Sequence, residues 1–418
     1  DEERHGEGDD GVELKQAYSQ VQRYHKTAFK GLFNYIQIFV ISNGVNTRYF
    51  ANFPTLRFPE FSGEWKKYFI RDIAEVTKGA GISKEQRSLF GTPCILYGEL
   101  YTTYKSEVIN DVQSKTDIDA KNLVRSKEND VIIPSSGETA IDISTARCVP
   151  YDDVLLGGDL NIIRLYQNDG RFLSYQLNGV RKLDIARVAQ GSSVIHLYGE
   201  SIKSLSVSLP ALKEQQKIVS LLSLIDERIA TQNKIIAHLE SLIKGLTNQL
   251  LIPNSNWQPT TIGQVLTINP GKDYKHLKEG NIPVYGTGGY MLSVNDYLYD
   301  GESVCIGRKG TINKPIFLTG KFWTIDTLFY TSNFNSLLPR FGYYLFKTID
   351  WLKYNEASGV PSLSKVSIEK IHISLPSLAI QNSICRLLDS IYDKLALEES
   401  VLNNHQTQKA FILQQMFI

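Results

Sequence analysis

The stretch SLPALKEQQKI at 208–218 returns as SLPSLAIQNSI at 374–384. A repeat constrains a fold strongly, because a unit that occurs twice must be built and packed twice. Aligned on Pro210 and Pro376, the copies pair Ile202 with Ile368, Leu212 with Leu378, Gln215 with Gln381, Ile218 with Ile384, Leu222 with Leu388 and Ile225 with Ile391. Further upstream, Trp65, Ile70, Ile73 and Val76 have the same spacing as Trp257, Ile262, Val265 and Ile268. The repeated unit is therefore a domain opened by a tryptophan and closed by a proline-led helix.

Proline suits a first helical turn, where its missing N–H costs nothing. After Pro210, Ile218, Ile225, Leu239 and Leu246 recur at multiples of seven, as do Leu222, Ile229, Ile236, Ile243 and Leu250. That spacing predicts a coiled-coil seam of more than four heptads. Gln232 is its one polar member. A helix over 211–252 would be about 60 Å long at ~1.5 Å per residue. The second run continues the pattern with Ile384, Ile391, Ile412, Leu388, Leu395, Leu402 and Met416, interrupted by Glu398, His405 and Lys409.

Between these runs the chain reads as mixed α/β with short strands. DVIIPSSG (130–137) and SVCIGRKGTI (303–312) look like corresponding strand-loop elements; NIIRLYQ and TLFYTSN look like later strands. FLSYQL and FGYYLFKTI look like short helices, and YGTGGY (285–290) like a turn. No phosphate-binding G-x-x-x-x-G-K-[ST], no G-x-S-x-G and no H-E-x-x-H occurs. The four cysteines stand singly, without C-x-x-C, so neither a zinc site nor a disulfide framework is expected and a reducing cytosol fits. No 18-residue apolar stretch exists, so no membrane span is expected. Net charge is only +1, which argues against a general polycation but leaves room for a local basic groove.

LRFPEFSGEWKKYFIRDIAEV (56–76), the two proline-led closings and IGRKGTINKP (306–315) give the chain its family likeness. It resembles the specificity (S) subunit of type I restriction-modification enzymes over roughly 54–418. The resemblance implies an α+β fold: two mixed α/β target-recognition domains separated by two long helices in an antiparallel coiled coil, a pseudo-twofold internal repeat. The segments would be target-recognition domain 1 at 54–209, spacer helix 1 at 210–252, target-recognition domain 2 at 253–375 and spacer helix 2 at 376–418. The implied partners are double-stranded DNA, two methyltransferase (M) subunits and, through the complex, restriction (R) subunits, in the cytoplasm. The chain itself would hold no cofactor; S-adenosylmethionine, ATP and Mg belong on the partner subunits. It would read a bipartite DNA site without being an enzyme. A truncated nuclease fused to a DNA-targeting arm, or a structural adaptor that does not bind DNA, are the alternatives.

DNA is held at phosphates by Lys and Arg and read at base edges by side-chain donors. The best contact candidates lie in the GRKGT loop: Arg308 and Lys309, with Gly307 and Gly310 permitting close backbone approach and Thr311 beside them. Lys314, Lys272 and Lys275 add charge in the second domain; Tyr101, Tyr104, Lys105 and Arg125 are the candidates in the first. In antiparallel helices related by a twofold axis, equivalent positions meet only at the middle. Gln232 is thus expected to approach Glu398, Leu239 to lie near Ile391 and Ile225 near His405.

Residues 13–53 depart from that family and look like a piece of the restriction (R) subunit's nuclease domain. Gln20 and Tyr24 match its Q-x-x-x-Y. Glu13 and Lys15 form an E-x-K, but the strand and aspartate that should precede it are replaced by DEERHGEGDD. A metal-dependent nuclease needs several converging carboxylates, so 1–53 is read as an orphan fragment without activity.

Overall fold

The computed structural model describes the strands at 38–42 and 47–51, residue 61 and residues 63–417. The strands Ile38–Ser42 and Thr47–Ala51 pair antiparallel. The Glu13, Lys15, Gln20 and Tyr24 positions lie outside the described residues. Two units divide the rest: Asp1–Gln232 with Val401–Ile418, and Asn233–Ser400. Each contains one head and parts of both long helices.

In the first head, the strand after Trp65, Lys66–Phe69, pairs antiparallel with Ser206–Leu209, the strand that leads to Pro210. The second head repeats this: Gln258–Thr261, after Trp257, pairs with His372–Leu375, before Pro376. Each head thus opens and closes on one ribbon. The repeat extends to the sheets. In the first head a four-stranded antiparallel sheet runs Ala74–Lys78, Leu160–Leu165, Asp130–Pro134, Arg147–Val149. Its counterpart runs Thr267–Asn269, Leu328–Ser332, Ser303–Gly307, Ile316–Leu318. A second sheet in each head has one parallel pair flanked by antiparallel ones: Ser114–Thr116, Thr92–Ile95, Leu155–Leu156, Val124–Arg125 in one, and Gly289–Val294, Glu279–Gly286, Lys321–Thr324, Tyr299–Asp300 in the other. The expected strands and the helices Gly170–Asn178 and Pro339–Thr348 all occur.

The long helices are Leu212–Leu250 and Leu378–Met416. The heptad positions form the least exposed stripe along each: Ile218, Leu222, Ile225, Gln232 and Ile243 are buried in the first, and Ile384, Leu388, Ile412 and Met416 in the second. In the first unit, Ile218, Leu222 and Ile225 share a core with Ile412, Met416 and Phe417. In the second, Leu246, Leu250 and Leu251 join Ile384, Cys385 and Leu388. The start of one long helix lies with the end of the other in both units, so the helices run antiparallel.

The repeated glutamine is what ties each long helix to its head. Gln215 is fully buried. Its amide donates to the Pro210 carbonyl and to Asn168 Oδ1, both at 2.9 Å, and accepts from the Asp169 N–H at 3.0 Å. Gln381, equally buried, donates to the carbonyls of Pro376 and Ser336, both at 2.9 Å, and accepts from the Leu338 N–H at 2.8 Å. Asp169 and Leu338 are the residues just before the head helices. One side chain therefore satisfies the proline-led turn and an orphan N–H of a second helix together. Three residues into those helices, Phe172 packs on Trp65 (5.5 Å between rings) and Phe341 on Trp257 (6.2 Å). The proline, glutamine and tryptophan of the repeat are thus one structural device used twice.

Candidate nucleic-acid interface

The GRKGT loop leaves the end of a buried strand, Ser303–Gly307. Its backbone is pinned on two sides. The N–H groups of Arg308 and Lys309 donate to the Thr327 carbonyl at 2.7 and 3.3 Å. The Gly310 N–H donates to Pro361 O at 2.8 Å, and the Leu363 N–H to Arg308 O at 2.8 Å. Ile312 anchors the loop in the core. With the main chain consumed in this way, the side chains of Arg308 and Lys309 are left exposed. They line a groove of about 790 Å³ with Asp326, Thr327, Val360 and Lys365. Glu356 sits on the same groove, its carboxyl held below the usual range by hydroxyl hydrogen bonds from Ser367 and Ser364. Two basic side chains on a rigid loop in an open groove suit a polyanion backbone or a guanine edge.

The loop's glycines have a different reason from the one expected. A Cβ on Gly307 would lie 2.1 Å from the Thr311 carbonyl, so the loop folds back on itself only over a bare Cα. Gly310 has φ +94°, which favours glycine. Gly307→Ala is expected to displace the loop and to lower stability by about 1–3 kcal/mol, as overpacking does; a melting curve superimposable on the wild type's would contradict this.

The other candidates scatter. Lys314, Lys272 and Lys275 are exposed and Thr311 is half-buried. The Lys272 backbone is tied down by the Trp323 indole, which donates to its carbonyl at 2.8 Å. In the first head, Lys105 and Arg125 are exposed, with the Arg125 guanidinium donating to Asp153 O at 3.1 Å. Tyr101 is half-buried, and burial raises its phenol above the ordinary value. Tyr104 requires a correction. It is buried, its hydroxyl accepts the Gln113 N–H at 3.2 Å, and burial pushes its phenol up to about 12. It belongs to the core, because the short helix Glu99–Thr102 turns it inward. The first head has no basic pair where the second has Arg308 and Lys309: Ser135 and Ser136 follow its strand, and both are buried. Lys365 and Val360, which complete the groove, escaped sequence reasoning because they arrive some fifty residues after the loop.

Along the seam, Gln232 is buried, while Leu239, Ile391, Glu398 and His405 are half-buried. Glu398 pairs with Lys394 at 2.5 Å, one turn before it. Lys409, which breaks the apolar pattern, pairs with Asp226 at 2.6 Å and with Glu107. Among the described residues, no group of three or more His, Cys, Asp or Glu is placed to hold a metal ion, and no helix is long and apolar enough to cross a membrane.

Two repeated α+β heads, each packed with the start of one long helix and the end of the other, define a duplicated architecture. Residues 62–241 and 254–405 both match the type I restriction modification DNA specificity domain, and the chain belongs to that family. Residues 7–57 match the type I restriction enzyme R protein N terminus. The first of two kinds of relative reflects that segment: an endonuclease subunit of a type I restriction enzyme from Staphylococcus aureus is 57% identical over 42 residues, 10% of this chain and 4% of its own length. The second is a putative type I restriction enzyme specificity subunit from Haemophilus influenzae, 25% identical over 159 residues, 37% of this chain and 40% of that one. The chain therefore spans well under two thirds of either relative. The crystal structure of a type I restriction-modification system S subunit from M. genitalium shares the fold with a TM-score of 0.62, covering 85% of this chain and 97% of that one at 18% identity. A chain from structural work on complex assembly and conformational transition of the type I R-M system gives 0.53, over 84% and 97%, at 15% identity.

Proposed function

We propose that this protein is the DNA sequence-recognition subunit of a type I restriction-modification complex. It reads a bipartite site with its two heads and docks methyltransferase subunits and, through them, restriction subunits. It performs no catalysis itself; S-adenosylmethionine, ATP and Mg serve the partner subunits. The observation that carries this reading is the duplicated head with a different strand end in each copy: exposed Arg308 and Lys309 in one, buried Ser135 and Ser136 in the other. Two readers of one architecture and unlike chemistry suit two unlike half-sites. A net charge of +1 supplies little sequence-independent attraction to DNA, so tight specific binding is expected only with methyltransferase subunits present.

Reversing Arg308 to Glu is expected to weaken DNA binding by that complex, or to abolish discrimination at one half-site; a base contact is worth about 1–3 kcal/mol. Unchanged affinity and unchanged methylated sequence would remove Arg308 from the interface. Deleting residues 1–53 is expected to leave recognition intact, because the repeated unit begins near Trp65. Loss of methylation by a stably folded truncated protein would show that the segment has acquired a role.

A further inference from the structure

The hairpin formed by Glu279–Gly286 and Gly289–Val294 carries the sequence GTGGY at its tip, with Gly286 opposite Gly289 and Tyr285 opposite Tyr290. This tip meets the basic loop: the atom nearest to a Cβ built on Gly310 is Thr287 Oγ1, at 3.6 Å. The glycines of the tip have unequal reasons. Gly289 has φ +106°, so the turn itself calls for glycine there. Gly286 packs closely, with Met291 Sδ 2.9 Å from a Cβ position. Gly288 has neither reason. It does not adopt the left-handed backbone, and a Cβ on it would meet nothing within 4 Å. Nothing inside the chain keeps a side chain off Gly288. A bare backbone at an exposed tip is useful where a ligand must approach closely.

Tyr290, next along the hairpin, is 62% exposed yet held in place. Its ring stands edge-on to Tyr285 at 6.2 Å, and its hydroxyl is 3.1 Å from Ser293 Oγ. An exposed tyrosine braced in this way presents a flat apolar ring and a phenol that donates and accepts, with little rotamer freedom left to lose. The loop that this tip meets carries the exposed cations of Arg308, whose guanidinium also donates to the Asp326 carbonyl at 3.4 Å, and Lys309.

We propose that the Thr287–Tyr290 tip and the Arg308–Gly310 loop form one DNA-reading edge of the second head, with Gly288 bare to admit the duplex and Tyr290 setting base preference. This rests on the DNA-recognition reading and names the part of the second head that does the reading. The cations hold phosphate or a guanine edge; the hairpin backbone, free of a side chain at 288, comes within hydrogen-bonding distance of the groove.

The test uses the full chain assembled with type I methyltransferase subunits and a randomised duplex DNA library, comparing the selected sequence, its affinity and the melting temperature. Gly288→Val is expected to melt as the wild type does, while binding the wild-type site at least about tenfold more weakly. Tyr290→Ala is expected to alter base preference in one half-site and leave the other unchanged. Gly289→Ala is the control that strains the turn and lowers the melting temperature. Wild-type complex that selects no sequence overturns the DNA reading and the edge with it. Wild type that selects a bipartite site, with Gly288→Val and Tyr290→Ala selecting the same site at the same affinity, overturns the hairpin's role alone.

Discussion

Replacing Lys409 by methionine is expected to destabilise the first head by about 3 kcal/mol. Its ammonium is 2.6 Å from Asp226 Oδ1 and also contacts Glu107 Oε2, and all three side chains are largely buried. The Tyr175 hydroxyl donates to Asp226 Oδ2 at 2.6 Å, and Ser106 Oγ to the same oxygen at 3.2 Å. Arg147 stands near; burial holds its guanidinium below the ordinary value while Glu107 and Asp226 act the other way. Removing one partner from a buried ion pair costs about 3–5 kcal/mol, because a charge is left uncompensated. The lower end applies, since Tyr175, Ser106 and Arg147 stay in place. For a unit of this size that is a fall of very roughly 6–12 °C in Tm. Adding Asp226→Asn to Lys409→Met is expected to recover part of the loss, because an amide still accepts the Tyr175 hydroxyl. A Lys409→Met protein that melts with the wild type would show that the buried cluster holds nothing together.

Truncating both clamps is expected to cost more. Gln215→Ala orphans the Asp169 N–H and leaves the Pro210 carbonyl and Asn168 without their donor. Each unsatisfied buried group costs about 1–3 kcal/mol, so about 3 kcal/mol is expected from the single change. Gln381→Ala does the same in the other unit, through Leu338, Pro376 and Ser336. The two clamps share no partner, so the double variant is expected to lose the sum, about 6 kcal/mol. Gln215→Glu adds a sign that can be read by pH. A buried carboxyl facing the Pro210 and Asn168 oxygens fits only when protonated, so its pKa in the folded state rises above the unfolded value of about 4.3. The folded variant then binds more protons than the unfolded one, and its stability falls as pH rises through and above that value. Denaturant titrations at pH 4 and pH 7 measure the difference; equal losses at both would contradict the assigned hydrogen bonds.

The fold was legible because its evidence is repetition and period. Tryptophan, proline and glutamine recur at matched spacing, and the heptad stripe reports the buried face of each long helix directly. What each repeated residue does was not legible. Gln215 bonds to Asn168 and Asp169, more than forty residues away, and no local pattern announces such a partner. Lys409 read as a flaw in an apolar seam because Glu107, its counter-charge, lies 302 residues earlier. In YGELYTTYKS the alternation of tyrosine and lysine suggested a surface, but one helical turn rotates Tyr104 into the core and leaves Lys105 outside. The GRKGT loop was found from its own charge and glycines. Its groove was not, since Val360 and Lys365 come from a segment that only the tertiary fold brings beside it.

Sequencing the methylated bases in DNA from a host with and without this gene tests the central claim most directly. The account predicts one methylated bipartite sequence, with two half-sites at a fixed separation, present only when the gene is present. It further predicts that exchanging the second head for that of another family member changes one half-site and leaves the other. Methylation identical in the two hosts, or a single undivided motif indifferent to the exchange, would contradict it.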